Sequence, residues 1–161
     1  MNTAVFTKDA TNKTLTIVRS FAAPRSKVWQ AWTTSELLDQ WWGPKPWNAV
    51  TKVMDFRVGG RWIYAMTGPD GTKQWCVVEY KTIDPERAFT GTDAFSDENG
   101  VPDTAMPITE WLVVFEDEGA GTKITVTSTY TTKEDLEKII EMGFQEGFSM
   151  GLNQLEALLT Q

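Results

Sequence analysis

The stretch that decides the fold is Thr132–Leu159, TKEDLEKIIEMGFQEGFSMGLNQLEALL. At 100° per residue, Leu136, Ile140, Phe144, Gly147, Gly151, Leu155 and Leu158 form one apolar stripe, and Glu137, Glu141, Gln145 and Glu156 lie outside it. The spacing predicts one long helix. Thr132 is placed to cap it, and Glu134 and Asp135 complement the positive end of its dipole. With six acidic residues against two basic ones from Thr132 onward, it reads as a helix docked on a sheet and not as a membrane anchor. Gly143, Gly147 and Gly151 recur at i, i+4 and i+8 inside the stripe. Each glycine costs a helix about 1 kcal/mol relative to alanine. Either a neighbouring element approaches the helix backbone very closely there, or a groove without side chains leaves room for something else.

Upstream, the chain reads as strands. Lys13–Phe21 alternates, with Leu15, Ile17 and Arg19 on one face. Pro24 suits the first turn of a helix over Ser26–Thr33, and Ser35 is placed to cap a second short helix over Glu36–Trp42. Strand patterns then follow at Ala49–Arg57, Arg61–Thr67, Lys73–Ile83, Ala88–Phe95, Ile108–Glu116 and Thr122–Tyr130. Turn residues such as Gly59-Gly60 and Pro69-Asp70-Gly71 separate them. Ser96–Pro107 is the one long connector, of a length that suits a lid. This order predicts an α+β fold: a curved seven-stranded antiparallel sheet around the last helix, with two short helices after the first strand.

Composition excludes much chemistry. The 161 residues (1–161) suit a single domain, 41% hydrophobic and 23% charged. The chain has no histidine, which removes histidine-based triads and His-containing zinc sites. Its one cysteine, Cys76, reads as a small buried hydrophobe. No catalytic residue, cofactor or metal site is assigned. A net charge of −7 disfavours nucleic acid and anionic membrane as partners. The opening residues, MNTAVFTKDATNKT, are polar and mixed, which predicts a cytoplasmic protein without a signal peptide. Eight tryptophans, six of them in the first 62 residues, predict an aromatic core or an aromatic-lined pocket.

An ordered series of motifs runs through the chain. It begins with Phe21-Ala22-Ala23-Pro24, Val28-Trp29-Gln30-Ala31-Trp32 and Trp41-Trp42-Gly43-Pro44. It continues with Asp55 to Trp62 (DFRVGGRW), Ile83-Asp84-Pro85-Glu86-Arg87 and Gly119 to Thr125 (GAGTKIT). Across about residues 13–159 this resembles the homologue family of the activator of the heat-shock-protein-90 ATPase, in the START-like, birch-pollen-allergen-like (SRPBCC) superfamily. The resemblance implies a helix-grip fold and an apolar cavity between helix and sheet. It also implies a weaker link to chaperones and the stress response. Two features depart from the family pattern. Val78 and Thr82 stand near where a glycine and a glutamate are usual, so that glutamate's role is not carried over. The chain also begins directly at the first strand, where the eukaryotic co-chaperones carry a further N-terminal domain.

The candidate cavity residues are Trp62, Tyr64, Met66, Cys76, Val78, Tyr80, Phe144, Gly147 and Phe148, joined by the carboxylate Glu110. Asp55, Glu79, Asp93 and Glu110 are the carboxylates on predicted strands; Asp55 is matched to Arg57 as a same-face ion pair. Glu110 stands out because Ile108 and Leu112 flank it, although Trp111, Val113 and Phe115 make the opposite face equally apolar. Parity leaves open which face points inward. Three functions compete. The first is binding of an apolar or aromatic, lipid-like small molecule by a monomer or homodimer. The second is a co-chaperone-like module acting on a chaperone ATPase. The third is a cyclase or hydrolase using a cavity carboxylate or tyrosine. A non-enzymatic binding protein is the preferred reading.

Overall fold

The alternation at Leu15 and Ile17 forms a strand within an eight-stranded antiparallel sheet in the computed structural model, which describes residues 3–161. The elements in chain order are β1 (Val5–Asp9), β2 (Thr14–Phe21), α1 (Arg25–Thr33), α2 (Ser35–Trp41), β3 (Asn48–Met54), β4 (Arg61–Thr67), β5 (Lys73–Asp84), β6 (Ala88–Phe95), β7 (Ile108–Glu118), β8 (Gly121–Thr129), α3 (Lys133–Glu141) and α4 (Phe144–Leu159). The strands lie in the order β1-β2-β8-β7-β6-β5-β4-β3. Since β2 and β3 sit near opposite edges, α1 and α2 carry the chain across the face that α4 also covers.

The α+β architecture is the expected one, with two differences. An eighth strand, β1, pairs with β2 from Val5↔Val18 to Asp9↔Thr14. It is a short edge strand in which Phe6 is the large apolar side chain turned to the core, so its alternation is faint. The long helix is also interrupted. Thr132 Oγ1 accepts the Asp135 N–H at 3.0 Å and caps α3 as expected. The helix then ends at Met142, and Gly143, with φ of 85°, turns the chain in the left-handed conformation before α4 begins. Of the three stripe glycines, Gly143 is therefore the joint.

Gly151 explains how α4 docks. A Cβ there would lie 3.4 Å from the Trp41 carbonyl oxygen at the end of α2. One turn on, Gln154 Nε2 donates to the carbonyls of Trp41 (2.9 Å) and Gly43 (2.8 Å). A second tie comes from Arg19, which is buried on the inner face of β2 as its parity predicts. Its Nη1 donates to Asn153 Oδ1 at 2.9 Å, and Nη2 lies 3.3 Å from Glu156 Oε2. Between these ties Trp32, Trp41 and Trp42 pack edge to face, with centroids 5.0 to 5.7 Å apart. Most tryptophans of the first half of the chain, Trp29, Trp32, Trp41, Trp42 and Trp62, belong to the core or pack against it.

Of the connector 96–107, only Pro107 at its end reaches the hollow under the helices; its middle lies on the opposite face of the sheet. Its Gly100 packs on Ile63, which belongs with Val77 and Ala94 to a small apolar cluster on the opposite face of the sheet. No helix of the described residues is long and apolar enough to cross a membrane.

Gly143 and Gly147 should respond with opposite sign to alanine. Gly143→Ala places a side chain at positive φ and should lower stability by about 1–2 kcal/mol. Gly147→Ala meets only Pro44 Cγ at 3.7 Å and should raise stability by up to about 1 kcal/mol. Each kcal/mol corresponds to about 2–4 °C in Tm for a chain of this size. Thermal melts should rank Gly147→Ala above the parent and Gly143→Ala below it; the reverse order would contradict the helix break.

Candidate functional site

A cleft opens between the sheet and α4 on the side of the Gly143 joint, with a volume of about 220 Å³. Helical phase turns Phe144, Gly147 and Phe148 of α4 toward it, and strand parity turns Tyr64 and Met66 of β4 and Cys76 of β5 to the same side. Trp42, Phe95 and Trp111 supply further aromatic wall. Gly147 matters because it leaves space: no atom but a Pro44 carbon lies within 4 Å of where its Cβ would be. The Phe144 and Phe148 rings stack with centroids 5.3 Å apart. A smaller hollow of about 80 Å³ shares Cys76, Asp93, Phe95, Trp111 and Phe144 with the cleft and extends it toward Thr109 and Ile139. Three larger surface hollows have more polar linings and lie at the C-terminal end of α4 and on the outer face of the sheet.

The polar groups of the cleft meet on the sheet. Trp42 Nε1 donates to the Tyr64 hydroxyl at 3.0 Å, while the Trp62 ring stacks on Tyr64 at 4.1 Å. Cross-strand register sets Asp93 of β6 between Val78 and Thr109, two pairs along from Cys76↔Phe95 and on the same face. Asp93 keeps some exposure as a residue, yet its Oδ1 is sealed from solvent without a hydrogen-bond partner. Loss of hydration disfavours the charged carboxylate and pushes its pKa up from 3.8 to about 7. Burial, and then the nearby Asp93 charge, push the ionisation of Tyr64, Cys76 and Tyr80 upward. Burial does the same to Tyr130, whose hydroxyl, like Ser128 Oγ, is buried without a hydrogen-bond partner. Cys76 is therefore a protonated thiol and not a nucleophile.

Six of the ten sequence-selected residues meet at the cleft: Tyr64, Met66, Cys76, Phe144, Gly147 and Phe148. Trp62 stands behind Tyr64 and donates from Nε1 to Thr51 Oγ1 at 3.0 Å. Val78 is fully buried in the sheet row beside Asp93. Tyr80 does not line the cleft; its ring lies 4.7 Å from Phe56 and its hydroxyl is directed at Met54 Sδ. Glu110 is exposed on the outer face, because Trp111, Val113 and Phe115 turn inward. The cavity carboxylate is Asp93 instead. A signal for it existed in β6, where Phe89, Asp93 and Phe95 share one parity and the other carries Ala88, Thr90, Thr92 and Ala94. Asp55 does pair with Arg57, at 2.7 Å. Among the described residues no group of three or more Cys, Asp or Glu side chains is placed to hold a metal ion.

Residues 22–160 match the family model described as activator of Hsp90 ATPase homolog 1-like protein. The chain is similar to a crystal structure of a Mycobacterium smegmatis protein, with 36% identity, a TM-score of 0.90, and coverage of 98% of this chain and 96% of that one. It is also similar to solution structures from Arthrobacter aurescens (35%, TM-score 0.91, covering 97% and 91%) and Staphylococcus epidermidis (31%, 0.86, covering 98% and 94%). No curated protein gives a significant match.

The Asp93 environment sets a pH dependence. Its folded pKa lies above the unfolded value, so the folded state holds the extra proton between pH about 4 and about 7. This group's contribution to stability therefore falls as pH rises through that window, by a few kcal/mol in order of magnitude, and is flat above it. Asp93→Asn should remove the slope. Urea unfolding should show the stability of the variant relative to the parent increasing between pH 5 and pH 8. A constant difference would mean that Asp93 is not desolvated.

Proposed function

This chain belongs to the activator of Hsp90 ATPase homolog 1-like family, and from that premise we propose that it binds a small, largely apolar or aromatic molecule in the cleft between α4 and the sheet. The observation that supports this reading is the space at Gly147, bounded by Phe144, Phe148, Trp42 and Trp111. A helix that only needed to pack would gain stability from a side chain there. The lining, apolar with a few convergent polar atoms, has the usual make-up of a small-molecule site. Its volume, about 220 Å³, lies below the usual range for drug-sized ligands and favours a compact occupant. Filling the cleft would remove apolar surface from water at about 25 cal/mol per Å².

The enzymatic alternative has one suitable group, since a carboxyl with a pKa of about 7 is matched to acid–base work at neutral pH. A chaperone partner would instead need an apolar surface patch. Of the large exposed apolar side chains, Val50 and Val53 share β3 and Ile108 and Leu112 share β7, while Val5, Val58, Val101 and Met150 lie on separate segments.

Binding is tested with a neutral naphthalene probe followed by tryptophan quenching. Saturable one-to-one binding is expected, with a rise in Tm that grows with probe concentration. Gly147→Leu should abolish binding while the protein stays folded by circular dichroism, and Phe144→Ala should weaken it about tenfold. Trp47→Ala, whose ring packs on Gly68 away from the cleft, should leave it unchanged. Absence of saturable binding, together with stimulation of a chaperone ATPase by the isolated chain, would favour the co-chaperone reading.

A further inference from the structure

The cleft reading leaves one carboxylate oxygen unexplained. Asp93 Oδ1 is shut off from water and accepts no hydrogen bond. A buried polar atom left unpaired costs about 1–3 kcal/mol, more when charged. No ion pair reaches Asp93 among the described residues, although Lys and Arg side chains pair with carboxylates elsewhere on the molecule. The surrounding groups come from every wall. Tyr64 stands on β4, Cys76 and Tyr80 on β5, Thr109 on β7, and Tyr130 follows β8. The helical wall contributes Ile139, Phe144 and Phe148, none of which ionises. All these polar neighbours are neutral, and none supplies positive charge.

Resting on the cleft reading, we propose that the occupant is a small organic cation, an amine attached to an apolar or aromatic body, whose ammonium group ends on Asp93. Three features of the site meet such a ligand. Its N–H groups would satisfy the orphaned carboxylate through a charge-assisted hydrogen bond. Trp42, Trp111, Phe144 and Phe148 present aromatic surface suited to a cation. The chain's net charge of −7 draws cations and repels anions. Burying an amine beside a carboxylate also converts an isolated buried charge into a pair. The carboxyl, protonated to a substantial degree near neutrality when the cleft is free, gives up its proton as the amine arrives. Binding and proton release are therefore coupled.

The test compares three probes of similar shape: phenethylamine, phenethyl alcohol and propylbenzene. In the parent protein at pH 8, phenethylamine should bind about tenfold or more tightly than either uncharged probe. Below pH about 7 its affinity should fall by up to about tenfold per pH unit, while that of propylbenzene stays level. Titration calorimetry at pH 7 in buffers of different ionisation enthalpy should show release of about half a proton per amine bound. Asp93→Asn should erase the preference and the proton release but keep propylbenzene binding. The calorimetry on the parent protein stands even if that variant folds poorly. Equal binding of all three probes would overturn the cation assignment and leave the apolar cleft in place. A preference for the alcohol would also overturn it, by marking Asp93 as a partner for neutral groups. Binding of none of the three would overturn the cleft reading itself.

Discussion

The backbone of α4 must lie against the C-terminal end of α2, and most of the interior follows from that contact. Gly151 permits it, because a Cβ would sit 3.4 Å from the Trp41 carbonyl oxygen. Gln154 locks it by donating to two carbonyls that the end of α2 leaves without helical partners. With this crossing in place, Trp32, Trp41 and Trp42 have a roof, and their edge-to-face mosaic reaches Trp62, Trp111 and Phe148. Arg19 adds direction to a contact that hydrophobic packing alone would leave free to slide. Its fork reaches Asn153 and Glu156 from beneath the same helix, so register along the helix axis is set by polar geometry.

The two ends of the helical segment therefore do different things. Toward the C-terminus, α4 is bound tightly, with Leu152 and Leu155 fully buried. Toward the N-terminus, the left-handed turn at Gly143 breaks the helix. There Phe144, Gly147 and Phe148 stand away from the sheet and leave the cleft. The glycines that recur at four-residue intervals stand in three different surroundings: a turn of reversed hand at 143, open space at 147 and close backbone approach at 151. One periodic pattern conceals three separate settings.

The placement of Asp93 works against stability. A desolvated carboxyl without a partner costs folding free energy, and the costs of such groups are tolerated most often where function needs them. The rest of the cleft is economical by comparison. The Tyr64 hydroxyl has its Trp42 donor, and Cys76 behaves as an apolar filler. The polar character of the site is thus concentrated in one acid and the neutral hydroxyl groups around it.

The local pattern alone determined the α+β class, seven of the eight strands, both short helices, the Thr132 cap and the inward face of β2. These depend on periodicity and short-range hydrogen bonding, which neighbouring residues carry by themselves. It also selected six of the residues at the cleft, because strand parity and helical phase are local. Tertiary structure decided the rest. β1 is held by backbone pairing to β2, and its side chains contribute little signal. The break at Gly143 depends on two helices needing different directions, which no single period records. The choice of Asp93 over Glu110 hung on which of two equally apolar faces of β7 turned inward, and that was settled by Trp111, Val113 and Phe115 packing beneath the helices. A face becomes an inside only when another element covers it, so long-range packing, and not local sequence, chose the carboxylate that faces the cleft.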